Sequence, residues 1–164
     1  MDDRTALGGE AEGSVAMTGA KSEFHHAVPI LRVRDLAASV AHYTTALGFT
    51  VDWHDAEIMA GVSREQCHLM LCEGDQGHEG GWVWIGVNDA AALEKELRAK
   101  GAKIRHPATN YPWALEVQVE DIDGNVLRFG SDEKPDQPAG EWLDGNGVRW
   151  EMRPEGGWKR VEGA

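Results

Sequence analysis

Cysteine is scarce in this chain: the 164 residues include only Cys67 and Cys72. Two cysteines are too few for a disulfide framework. Five positions apart in what reads as one strand, they would point to opposite faces, and reduced thiols suit the cytoplasm. No run of about 18 apolar residues occurs, which excludes a membrane-spanning helix. The opening stretch, Met1 to Gly13, is acidic and glycine-rich. It lacks the basic start and apolar core of a secretory signal, so the cytoplasm is the expected location. Basic residues are outnumbered, 16 against 28, for a net charge of -12. Such a surface repels phosphate backbones and excludes nucleic-acid binding. It attracts cationic ligands over long range, although acidity also serves solubility alone. The excess is not confined to the ends, since residues 23–130 carry 9 basic and 16 acidic side chains. Nucleophile motifs and phosphate-cradling glycine loops are missing too.

Against these absences stand 7 tryptophans: Trp53, Trp82, Trp84, Trp113, Trp142, Trp150 and Trp158. Large amphipathic rings are enriched where a protein grips a partner. Residues 1–22 show no periodicity and read as a disordered tail. Order is expected from Phe24. Ala27–Val33 reads as a strand, with Pro29 marking an edge or a strand start. Asp35 caps a helix from Leu36 to Leu47, whose apolar positions Leu36, Val40, Tyr43 and Leu47 share one face. Gly48 closes it. Strands follow at Phe49–Trp53, Glu57–Val62 and Cys67–Cys72, the last two separated by a polar turn at Ser63–Gln66. The order then restarts. Trp82–Val87 is a strand, Asp89 caps a helix from Ala90 to Lys100, Gly101 ends it, and Ala102–Arg105 is a strand. Leu115–Val119 and Val126–Phe129 form a hairpin around Asp121-Ile-Asp-Gly-Asn125.

The chain therefore contains a direct repeat. Val33-Arg-Asp35, a helix and Gly48-Phe-Thr-Val51 return as Val87-Asn-Asp89, a helix and Gly101-Ala-Lys-Ile104, with offsets of 54 and 53. Each half reads βαβββ, and a unit with one bare sheet face needs its twin. The expected class is α+β, with units at about 26–73 and 81–130 inside a domain spanning 23–130. Residues 131–164 form a linker (Ser131–Ala139) and a C-terminal β extension. Trp142, Trp150 and Trp158 recur every eight residues there, with turns at Asp144–Gly147 and Glu155–Gly157. A small antiparallel meander is expected, packed on the domain or on a second subunit; the alternative is a lid over a binding site.

Two tandem βαβββ units resemble the glyoxalase/bleomycin resistance/dioxygenase (vicinal oxygen chelate) superfamily. Ala27–Ser39 and Ala46-Leu-Gly-Phe49 are similar to the opening of bleomycin-resistance proteins. Gly81-Trp-Val-Trp-Ile85 resembles their central strand, and Tyr111–Glu116 with Glu120–Phe129 resembles their closing hairpin. The match covers roughly residues 26–130. It implies cupped sheets that hold a site and, in the bleomycin-resistance branch, a homodimer with ligand crevices made by both chains. Metal-dependent members carry four ligands on the cup floor. By resemblance these positions fall on Val28, His68, Trp82 and Arg128, of which only His68 can bind a metal. His26 shares the parity of Val28 but lies about 6.6 Å along the strand, and Cys72 shares a face with His68 at about 13 Å. Both are too far for one site. Asp121-Ile-Asp-Gly124 lacks the later spacing and bidentate Glu of a calcium loop and reads as a hairpin turn. No metal, cofactor or catalytic residue is expected, and without a metal the Lewis acid of glyoxalase or extradiol dioxygenase chemistry is missing. His42 on the helix and His106 in a loop read as core or hydrogen-bonded residues.

Strand alternation groups Trp82, Trp84 and Gly86; His68, Met70 and Cys72; and Arg128 with Gly130. If the resemblance places Trp82 and Arg128 at former ligand positions, these faces line the cup. Trp113 resembles a pocket-wall tryptophan of the family, and Trp53 falls near the rim. The ligand-binding set is thus Trp53, His68, Met70, Trp82, Trp84, Trp113 and Arg128. Aromatic walls with a few polar groups suit planar or cationic small molecules. The first functional reading is a metal-free protein that sequesters a bleomycin-like or other aromatic or cationic antibiotic. The alternative is a lyase, isomerase or dioxygenase on the same fold, and a third is an interaction module.

Overall fold

The computed structural model describes residues 26–55 and 58–162. The expected Phe24 start, the whole of the expected tail at residues 1–22 and Glu57 lie outside them. The first unit contains β1 (Ile30–Arg32), α1 (Leu36–Thr45), β2 (Thr50–Asp55), β3 (Met59–Arg64) and β4 (Cys67–Cys72). The second contains β5 (Trp82–Gly86), α2 (Ala90–Ala99), β6 (Lys103–Tyr111), β7 (Ala114–Glu120) and β8 (Val126–Ser131). Each unit folds into a four-stranded sheet of the same topology, β1-β4-β3-β2 and β5-β8-β7-β6. The first strand of each is parallel to its neighbour, and the other pairs are antiparallel.

The local signals act as chemistry requires. The Asp35 and Asp89 carboxylates accept from the backbone N–H of Ala38 and Ala92, capping two otherwise orphan donors. Gly48 and Gly101 follow the helices with φ of 75° and 79°, a region that favours glycine. Apolar faces of both units merge into one core, with Tyr43, Leu47 and Leu71 from the first and Leu97, Val117 and Leu127 from the second. Cys67 packs against this core, and Cys72 lies on the opposite face of β4.

Most element bounds shift by one to three residues from those expected, β1 shrinking to Ile30–Arg32, and two differences bear on the site. The β3–β4 turn is two residues, Glu65 and Gln66, because Ser63 and Arg64 pair with His68 and Cys67. Glu65 carries a φ of 54° there. The strand expected at Ala102–Arg105 runs on to Tyr111, so His106 is a strand residue and not a loop residue. Register shifts on either side of His106 break the alternation that a sequence reader relies on.

The turn between β7 and β8 fastens the units together. Tyr43 Oη donates to Asp121 Oδ2 at 2.9 Å, and Asn125 Nδ2 donates to the Arg32 carbonyl at 3.0 Å. Asp123 accepts from the Arg34 backbone and from Ser39 Oγ. Burial, reinforced by the Asp121 charge, pushes the Tyr43 phenol well above its ordinary range. The carboxylates that superficially suggest a calcium loop are thus spent on internal hydrogen bonds. Across the molecule, Arg64 bridges to Glu96, and its hydrogen bonds, with those of Lys100, hold the Glu96 carboxyl below its usual range.

Residues 142–160 form the meander, β9 (Trp142–Leu143), β10 (Arg149–Met152) and β11 (Trp158–Arg160), ordered β11-β10-β9. Among the described residues no helix is long and apolar enough to cross a membrane.

Candidate functional site

Register fixes which side chains share the face turned away from the core. On the first sheet, Ser63 pairs with His68 and Gly61 with Met70. Gly61 also pairs with Trp53, across a bulge between Val51 and Trp53. The bulge brings Asp52 and Trp53 to the same side. Asp52 accepts from Ser63 Oγ at 2.6 Å and lies 3.5 Å from His68 Nδ1, while the His26 ring stacks on His68. Trp53 packs against Gly61: a β-carbon there would come within 2.3 Å of the indole nitrogen. Trp53, His68 and Met70 therefore share one face of the first sheet.

The second sheet gathers Trp82, Trp84, Trp113 and Arg128. Its centre is Glu116, a carboxylate only 1% exposed. Glu116 Oε1 accepts from the indoles of Trp84 and Trp113, both at 3.0 Å, and Oε2 accepts from Arg128 Nη2 at 2.6 Å. A buried charge persists only when it is paired and hydrogen-bonded, and Glu116 has three such donors. Trp84 repeats the arrangement of Trp53, since a β-carbon on Gly130 would fall 2.6 Å from its ring. Trp82 lies beneath the Arg105 guanidinium, 5.0 Å from its ring centroid, and Arg105 also donates to Gln118. Trp84 and Trp113 remain about half exposed, at 54% and 48%. An open groove of about 1140 Å³ includes His68, Trp84 and Trp113 in its lining. Trp53, Met70, Trp82 and Arg128 lie outside it.

The positions Val28, His68, Trp82 and Arg128, which the resemblance marks as metal-ligand positions, do not converge on a donor set here. Arg128 is committed to Glu116, Trp82 to Arg105, and His68 faces Asp52. Among the described residues no three His, Cys, Asp or Glu side chains come together to hold an ion. A resident divalent metal does not fit this constellation.

Glu116, Gln118, Arg105, Tyr111 and Asp52 join the site without belonging to the set expected from sequence. One signal was available: β7 alternates Glu116, Gln118 and Glu120 with Leu115, Val117 and Val119, which puts three polar groups on the cup face. The sequence also leaves open where the meander goes. Its first strand crosses the second sheet's concave face. Trp142 stacks over Arg128 at 4.7 Å and meets Tyr111 and Trp113 edge-on, and Trp158 joins the same aromatic group. Burial raises the Tyr111 phenol to about 12.

Two groups make this packing sensitive to acid. Burial lowers the His106 pKa, so the folded state disfavours its protonation; Arg149 and Arg105 act in the same direction, and contact with Glu141 opposes. Asp144, which accepts from Trp150 Nε1 and the backbone of Val148 and Asn146, is held below the usual range by those bonds. Because both pKa values are depressed, both groups contribute stability at neutral pH. The His106 contribution falls away as pH drops below about 6.5, the ordinary histidine value. The Asp144 contribution is lost lower, as pH falls through its depressed pKa. Amide exchange in β9–β11, corrected for intrinsic rates, should therefore accelerate on acidification before exchange in β7 and β8 does. A tail as protected at pH 5 as at pH 7.5 would count against this assignment.

Comparison with known proteins places this geometry. A family model described as Glyoxalase/Bleomycin resistance protein/Dioxygenase superfamily matches residues 23–129. The bleomycin-binding protein of Streptomyces verticillus, solved with copper(II)-bleomycin, is 28% identical with a TM-score of 0.59, over 69% of this chain and 100% of that one. An antibiotic binding protein from a Streptomyces species has a TM-score of 0.61 at 17% identity, over 69% and 100% of the two chains. A glyoxalase/bleomycin resistance protein/dioxygenase from Nocardioides has a TM-score of 0.55 at 20% identity, over 73% and 91%. The last two likenesses concern the fold alone. Among curated proteins no sequence match was found.

Proposed function

From the premise that this chain belongs to the glyoxalase/bleomycin resistance/dioxygenase superfamily, we propose that it is a metal-free small-molecule-binding protein that sequesters a bleomycin-like or other planar, cationic compound. One observation carries this reading. The position on which the family resemblance puts the fourth metal ligand is Arg128, locked to Glu116 beside two tryptophans. A guanidinium there offers no lone pair to a metal ion, and the half-exposed indoles beside it offer ring surface to a ligand. The net charge of -12 adds long-range attraction for cationic ligands. The S. verticillus protein, solved with copper(II)-bleomycin, supports the ligand class. We place the protein in the cytoplasm as a homodimer, with the open face of the first sheet contributing Trp53, His68 and Met70 to a crevice shared between copies.

Titration with bleomycin should change tryptophan fluorescence saturably, with a dissociation constant below about 50 μM, roughly 6 kcal/mol of binding free energy. An unchanged spectrum at that concentration removes bleomycin as the ligand. Stoichiometric metal retained through purification, with an activity abolished by His68→Ala, would favour the enzymatic alternative.

A further inference from the structure

The first strand of the meander sits on the second sheet as a bound peptide would. The Glu141 carbonyl accepts from Tyr111 Oη at 3.0 Å and contacts His106 Nε2 at 3.0 Å. The Leu143 carbonyl accepts from Gln118 Nε2 at 3.2 Å, and the Asp144 carbonyl accepts from Arg105 Nη2 at 2.5 Å. The Trp142 ring covers Arg128. Every side chain of the face that makes these contacts is a donor or a cation, and each meets a main-chain oxygen or a flat ring. We propose that the concave face of the second sheet is a binding site for an extended, carbonyl-rich chain carrying a planar aromatic group, and that residues 140–145 occupy it in competition with such a ligand.

Three observations make the occupant exchangeable. It is tethered through residues 132–139, all exposed, and no side chain from 132 to 162 is buried in the core. The meander closes on itself through Asp144, so it can lift as a unit. Such weakly buried, self-contained segments open well below the global unfolding free energy. Finally, the occupant leaves a demand unmet: Arg128 Nε is buried without a hydrogen-bond partner among the described residues. A ligand whose carbonyl reaches it gains a charge-assisted bond that the tail does not make.

The test uses the full chain and does not depend on the bleomycin reading. A fluorescein-labelled peptide with the sequence of residues 139–146 is titrated by anisotropy. The wild-type tail competes at an effective concentration in the millimolar range, so binding should be weak. Trp142→Ala removes the ring over Arg128, and Gly140→Ala sets a β-carbon 2.3 Å from Thr109 Cγ2 where the linker meets the face. Each should bind the peptide at least tenfold more tightly than wild type. Equal affinity across the three proteins, or no saturable binding to either variant, overturns the proposal. Wild-type hydrogen exchange gives a check that needs no variant. Amides of β9–β11 should exchange together, at least tenfold faster than those of β7, and exchange of the tail only at the β7 rate overturns it equally.

Discussion

Replacing Glu116 with alanine is expected to destabilise the protein by about 3–5 kcal/mol, because it removes one partner of a buried ion pair and strands the other. The Arg128 guanidinium loses its 2.6 Å contact, and the Trp84 and Trp113 indoles lose their shared acceptor in the same stroke. Urea unfolding monitored by circular dichroism measures the loss. Glu116→Gln separates the contributions, because the amide oxygen still serves the indoles while the charge that matches Arg128 is gone. Its cost should fall between wild type and alanine. A loss under 1 kcal/mol for the alanine variant would mean that water replaces all three bonds, and that this face is far wetter than its geometry indicates.

The second large effect is expected at Asp121, 3% exposed and the acceptor of four hydrogen bonds. Oδ1 takes the backbone N–H of Asp123 and Asn125, and Oδ2 takes Tyr43 Oη and Asn125 Nδ2. Asp121→Ala strands buried donors from two units at once. At about 1–3 kcal/mol for each group left unsatisfied, with partial relaxation, the loss is about 4 kcal/mol. For a chain of this size that is a fall in Tm of about 8–16 °C. Tyr43→Phe removes a single donor and should cost about 1.5–3 kcal/mol. The double variant reports their coupling: costs that simply add would show that the Tyr43–Asp121 bond does not join the two units.

The repeat was legible because its signals are local. Asp35 and Asp89 before apolar helices, and Gly48 and Gly101 after them, act within a turn of themselves. The closing hairpin was legible for the same reason. The extent of β6 was not, because Pro107 and the register shifts around His106 interrupt the alternation that identifies a strand. On the cup faces, the tryptophans advertise themselves by size, but strand parity groups only Trp82 with Trp84, since Trp53 follows a bulge and Trp113 lies in the turn between β6 and β7. What parity cannot supply is pairing across strands. That Glu116 serves Trp84, Trp113 and Arg128 together depends on β5, β8 and β7 lying side by side, which is a property of sheet order. The resting place of the meander was hidden more deeply, since its anchoring atoms are main-chain carbonyls that every sequence possesses.

The paired placement of Trp53 over Gly61 and Trp84 over Gly130 has a thermodynamic consequence for recognition. Glycine within a strand weakens it, so each sheet gives up some intrinsic propensity for a smooth bed on which an indole can lie. A ring pressed against bare backbone has few torsional states left to surrender. Ordering of these two side chains is thereby settled at folding, and a guest that stacks on them meets surfaces whose rotational freedom is already spent.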